Sequence, residues 1–77
     1  MTIDDLGVGR AARIVAINAP AADLEIKLRQ IGFCEGDEVE LLTRGPLGRQ
    51  PLAVRLNRRI IALRRAEAIA LRIELHP

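Results

Sequence analysis

Seventy-seven residues are enough for one small domain, and a 49% apolar share carried by Leu, Ile, Val and Ala excludes a disordered chain. The single cysteine, Cys34, excludes an intramolecular disulfide and the paired spacing of a zinc site, and suits a reducing compartment. Net charge is +2 but uneven: residues 1–40 hold eight acids against four bases, and residues 41–77 hold two acids against eight bases, all arginine, which points to an interacting face.

Met1–Gly9 reads as a short lead with Leu6 tucked onto the core and Gly7-Val8-Gly9 as a turn. Asp4 and Asp5 stand where a secretion signal would need positive charge, and no apolar run approaches the ~20 residues that span a bilayer. A cytosolic protein without membrane insertion is expected. Arg10–Ile17 reads as a first strand with apolar residues on both faces.

Asn18-Ala19-Pro20 breaks that strand and opens a helix, with Pro20 in its first turn. Leu24, Leu28 and Ile31 form one apolar stripe that leaves Ile26 outside, and Glu25 and Arg29 form an i,i+4 pair. Gly32 ends the helix in the left-handed conformation that glycine adopts at little cost, which brings Leu28 and Phe33 into the contact of a Schellman ending. Phe33, the sole aromatic residue, is therefore a core plug, and Cys34 a half-buried small hydrophobe. Gly36 occupies the third position of a type II turn over Cys34–Asp37.

A second strand puts Val39, Leu41 and Thr43 on one face. Gly45–Pro51 reads as a loop, and Leu52, Val54 and Leu56 alternate along a third strand. Asn57-Arg58 makes a tight reversal, since asparagine tolerates positive φ. A fourth strand carries Ile61 and Leu63, Arg64–Ala68 forms a single helical turn, and Ile69–Leu75 a last strand before the tail His76-Pro77. Five short strands with an inserted helix predict a mainly β fold, a small barrel whose closure removes sheet edges.

The chemistry of an enzyme is missing. There is no Ser, the only His is next to last and no base stands near Cys34 in sequence, so nucleophilic catalysis has no apparatus. No phosphate-cradling loop is present, and no spacing holds two metal ligands in register. Neither a catalytic residue nor a cofactor is assigned. Single-strand nucleic-acid binders and proline-reading SH3 domains line their grooves with aromatics, and Phe33 is all this chain offers. Eleven arginines against one lysine suit bidentate pairing with carboxylates on a partner protein, and a GC-rich genome would produce the same bias.

The residues Leu28-x-x-Ile31-Gly32-Phe33-x-x-Gly36-Asp37-x-Val39, then Gly45-Pro46-Leu47-Gly48, Pro51-Leu52-Ala53-Val54 and Ile61-Ala62-Leu63-Arg64, resemble the ferrous iron transport protein A (FeoA) family over nearly the whole chain. Where Glu35 stands the family usually has proline, and where Ile31 stands often Met or Leu. The resemblance implies an SH3-like barrel of five strands with one inserted helix, and a cytosolic accessory of ferrous iron uptake. Its implied partner is the cytosolic region of an FeoB-type membrane GTPase transporter. It carries the family term transition-metal-ion binding and supplies no catalytic residues. The same fold occurs in iron-dependent repressors, but no DNA-reading helix pair precedes it in this sequence. A basic barrel that binds nucleic acid, the core of an iron-dependent regulator and a self-associating adaptor are the other readings. The contact surface expected is Arg44, Leu47, Arg49 and Gln50 of the loop with Arg58 and Arg59 at a neighbouring turn. Leu28, Gly32, Phe33 and Gly36 are expected to be structural.

Overall fold

The computed structural model describes residues 1–75, and the tail His76-Pro77 lies outside the described residues. A 3-10 turn (Ile3–Asp5) leads into β1 (Ala11–Ile17), α1 (Ala22–Ile31), β2 (Glu38–Leu47), β3 (Gln50–Leu56), β4 (Arg59–Leu63), α2 (Arg65–Ala70) and β5 (Leu71–Leu75). The strands form one antiparallel sheet of order β4-β3-β2-β1-β5. The fold is mainly β, as the sequence predicts, but the expected closure is incomplete. No ladder joins β4 to β5 among the described residues. The outer edge of β5 is instead covered by the N-terminus, through a Thr2–Arg72 bridge and a 3.0 Å hydrogen bond from the Ile73 N–H to the Met1 carbonyl.

That contact corrects the reading of the first residues as a mere lead. Ile3 is fully buried beside Leu6, and Asp5 holds the turn by accepting from the Thr2 N–H at 2.9 Å.

Bulges decide which side chains face inward. Against β5, β1 shifts register between Ile14 and Ala16, so the buried set changes phase from Ala12 and Ile14 to Ile17. This is how one strand buries apolar residues from both faces. In β2 a shift between Leu41 and Thr43 does the same: Val39 and Leu41 are buried, whereas Thr43, expected on their face, is exposed.

Helix α1 starts at Ala22, two residues after Pro20, so the proline lies outside the first turn. Ala21 is the N-cap and Pro20 precedes it. Leu28 is buried, Leu24 and Ile31 pack against the core, and Ile26 is exposed. The helix ends at Gly32, whose φ is 125°. The Phe33 N–H donates to the Leu28 carbonyl at 3.1 Å and the Gly32 N–H to the Arg29 carbonyl at 3.1 Å, the paired bonds of a Schellman ending. Leu28 and Phe33 meet in the core beneath it. Over Gly32 lies the Arg59 guanidinium, which donates to the Ile31 carbonyl and would have to shift to admit a Cβ.

The turn after the helix has Gly36 at φ 94°, closed by a 3.1 Å bond from the Asp37 N–H to the Cys34 carbonyl. Arg29 grips Glu35 with both ends of its guanidinium at 3.0 Å and still reaches Glu25 at 3.0 Å. Glu35 thus ties the turn to the helix by charge. Cys34, expected to be half-buried, is exposed, because Phe33 takes the interior position beside it.

Helix α2 is longer than one turn and takes Ile69 out of the last strand, which begins at Leu71. Its start is fixed by side-chain acceptors. The Arg64 N–H donates to Glu67 Oε1 at 2.7 Å, and the Arg65 N–H to Gln50 Oε1 at 2.7 Å. Such capping satisfies donors that have no intrahelical partner. Glu67, with its side chain 9% exposed, also receives Lys27 Nζ at 2.7 Å, joining α2 to α1.

These carboxylates make stability depend on acid. Burial alone would raise the Glu67 pKa, but the bonds from Lys27 and the Arg64 amide outweigh it and hold the group below its usual 4.5. The hydrogen bond from Arg29, with help from a backbone amide, holds Glu35 at about 2. A carboxylate whose folded pKa is depressed contributes stability that is complete above its unfolded value and is lost as pH falls toward the folded one. Urea midpoints should therefore be flat near neutrality and fall from about pH 4.5 downward. A Glu35→Gln, Glu67→Gln double variant should be less stable at pH 7 and show a shallower fall below pH 4.5.

Candidate functional site

The segment Gly45–Pro51, expected as a loop, is a paired hairpin. Leu47 and Gln50 close it, and only Gly48 and Arg49 stand outside the strands. Its prolines do not break it. Pro46 falls in a second bulge between Arg44 and Leu47, and Pro51 lies beyond the last β3–β4 pair, Leu52–Leu63. The arms are drawn close at Gly45, where a Cβ would fall on the Gln50 carbonyl and within 2.7 Å of Pro51 Cδ.

At the tip Gly48 has φ 66° and Arg49 φ 63°, the two positive values of a type I′ turn. Glycine takes this conformation freely, but an arginine there costs roughly 1–2 kcal/mol. Leu47 stands beside it with 79% of its surface exposed, the highest value among the large exposed apolar side chains. Leu47, Gln50, Pro51 and Arg64 line an open groove at the base of the tip.

Not all of the residues expected at this surface are there. The bulge at Leu42 turns Arg44 to the side of its partner Leu52, and its side chain is only 11% exposed. There it donates to Asp4 Oδ1 at 3.3 Å, to the Leu6 carbonyl at 3.2 Å and to the Asp4 carbonyl. Asp4 Oδ2 accepts from Arg65 at 3.2 Å, so one carboxylate pins the N-terminal turn to both β2 and α2. Gln50 spends its side-chain carbonyl on α2. Arg58 and Arg59 are not neighbours of the tip. They follow β3 at its far end, and seven residues at about 3.3 Å each put roughly 20 Å between the two turns. Of this group, Leu47 and Arg49 remain together and uncommitted.

The arginine surplus divides in the same way. Arg44 and Arg65 bind Asp4, Arg55 binds Glu40 at 3.3 Å, and Arg59 binds the helix end. Among the described residues, Arg49, Arg58, Arg64 and Arg72 make no side-chain hydrogen bond or ion pair. No group of three His, Cys, Asp or Glu among the described residues is placed to hold a metal ion. Sequence reasoning missed Asp4, whose partners lie 40 and 61 positions away. Local patterning carries no signal over such distances.

A family profile described as FeoA domain matches residues 1–75. Among solved structures, Stenotrophomonas maltophilia FeoA complexed with zinc, an SH3-domain protein, aligns with TM-score 0.84 and 30% identity over 96% of this chain and 89% of that one. Iron(II) transport protein A from Clostridium thermocellum aligns with TM-score 0.89 and 32% identity over 97% of this chain and 45% of that one, so this chain spans less than half of it. A manganese-dependent transcriptional repressor reaches TM-score 0.89 at 13% identity over 99% of this chain and 41% of that one, a likeness of fold alone. Comparison with curated proteins gives no significant match. The fold is SH3-like.

Asp4 is the residue on which the hairpin base depends. Asp4→Ala strips a nearly buried guanidinium of its counter-ion and should cost about 2 kcal/mol in urea unfolding. Arg44→Ala should cost a similar amount, and the double variant clearly less than the two together, because the pair acts as a unit.

Proposed function

The chain belongs to the FeoA domain family, which is associated with ferrous iron transport, and we propose that it acts there by protein contact through its β2–β3 hairpin tip. The partner is the cytosolic region of an FeoB-type GTPase transporter, and the protein works beside it at the inner face of the membrane without catalysis of its own. No helix among the described residues is long and apolar enough to cross a membrane itself.

One observation carries the reading: an exposed leucine and an arginine held at positive φ share the tip of a braced hairpin. Folding gains nothing from either. Leu47 buries little, and glycine at position 49 would relieve the backbone. Backbone cost without folding benefit is a mark of sites kept for binding. An apolar anchor beside an unpaired guanidinium is also the composition of an interface centre, where a few residues carry most of the binding energy. The nucleic-acid alternative loses ground because Phe33, the only aromatic ring among the described residues, is 1% exposed.

Calorimetric titration of the transporter's cytosolic region with wild type, Leu47→Ala and Arg49→Gly tests the proposal. Each substitution should weaken binding by at least about fivefold, the loss of one hot-spot side chain. Arg49→Gly should at the same time raise folding stability by about 0.5–1 kcal/mol, which separates lost contact from lost structure. Equal affinity of all three proteins would remove the tip as the docking element.

A further inference from the structure

β4 is an edge strand, and its sequence is symmetric about an apolar middle: Arg58-Arg59-Ile60-Ile61-Ala62-Leu63-Arg64-Arg65. The alternation of the sheet turns Ile61 and Leu63 toward the core and leaves Ile60 and Ala62 outside, with Ile60 65% exposed. The same alternation decides the backbone. The two-residue turn at Asn57-Arg58 is closed by the pair Leu56–Arg59, which makes the hydrogen-bonded pairs with β3 those of Arg59, Ile61 and Leu63. The N–H and C=O groups of Ile60 and Ala62 therefore point away from β3. They take part in no other backbone hydrogen bond among the described residues. The opposite edge of the sheet is covered by Met1 and Thr2, and no described residue pairs with this one.

An apolar edge with free donors and acceptors invites another strand. The charges say which kind. Arg58, in the turn just before β4, and Arg64, just after it, stand six residues apart and have no ion-pair partner among the described residues. The acid whose field reaches Arg64, Glu67, is already paired to Lys27. A second copy of β4 would bring arginine against arginine in either direction, which disfavours self-pairing. We infer that the β4 edge takes up an extended peptide with a short apolar centre and an acidic residue at each end, about six positions apart. Main-chain bonds from Ile60 and Ala62 would give affinity, and Arg58 and Arg64 would select the ends. The inference does not rest on the hairpin tip, and either can fail without the other.

The test is an NMR titration of the full chain, labelled with nitrogen-15, with the peptide Glu-Thr-Val-Thr-Val-Thr-Glu and with its counterpart carrying Lys at both ends. The acid-ended peptide should shift the Ile60 and Ala62 amides and slow their exchange with solvent, and should weaken from about 50 to about 300 mM salt. The Lys-ended peptide should bind at least about tenfold more weakly. An Arg58→Glu, Arg64→Glu variant should reverse that preference. Ala62→Pro should abolish binding, because it removes an outward N–H that the β3 ladder does not use. If that variant does not fold, the charge-reversed one decides. Absence of shifts at Ile60 and Ala62, shifts confined to the Leu47–Gln50 tip, or equal binding of the two peptides would overturn the inference.

Discussion

A single carboxylate, Asp4, organises the end of the molecule from which the β2–β3 hairpin projects. It receives Arg44 from β2 and Arg65 from α2, and it sits in the turn whose Ile3 fills the core. Charged groups taken from water are tolerable only when paired and hydrogen-bonded, and Arg44 meets that condition through Asp4 and two main-chain carbonyls. Gln50 adds a second brace by accepting the first amide of α2. The hairpin base is therefore held from two sides, and its tip is presented on a rigid support.

The opposite end of β3 is organised by different means. There the Schellman ending buries Phe33 against Leu28, and Arg59 lies across Gly32 to satisfy the helix carbonyl. Half of the eight arginines in the second half of the chain, Arg44, Arg55, Arg59 and Arg65, are thus held by partners within the fold. What remains uncommitted falls at three places in the second half of the chain: Arg49 at the tip, Arg58 and Arg64 around the β4 edge, and Arg72 on β5. The first sits with an exposed leucine and the second pair with an open edge, which is why binding is assigned to those places and not to the arginines as a class.

The parts of this design that are local were legible in the sequence. The stripe of Leu24, Leu28 and Ile31, the stop at Gly32 and the turn at Gly36 are set by neighbours within one helical repeat or one turn. The strand count and the mainly β class followed from alternation, and the SH3-like class from the family resemblance. What was not legible depends on bulges and on long-range pairing. An extra residue at Leu42 reverses the facing of Thr43 and Arg44, and alternation alone puts both on the wrong side. Gly45, Pro46 and Pro51 have loop composition, yet the prolines occupy a bulge and a strand end where no ladder donor is needed. The free edge of β4 was hidden for a similar reason: the number of strands suggests closure, and the open side is known only from the pairing.

We propose that a braced hairpin tip, and not the basic surface at large, engages the transporter. Hydrogen–deuterium exchange of the full chain with and without the transporter's cytosolic region addresses it most directly. Protection should be centred on residues 47–50, with the turn at Asn57-Arg58 unchanged. Protection confined to the Asn57-Arg58 end, or spread evenly over the arginine-rich half with none at the tip, would contradict it.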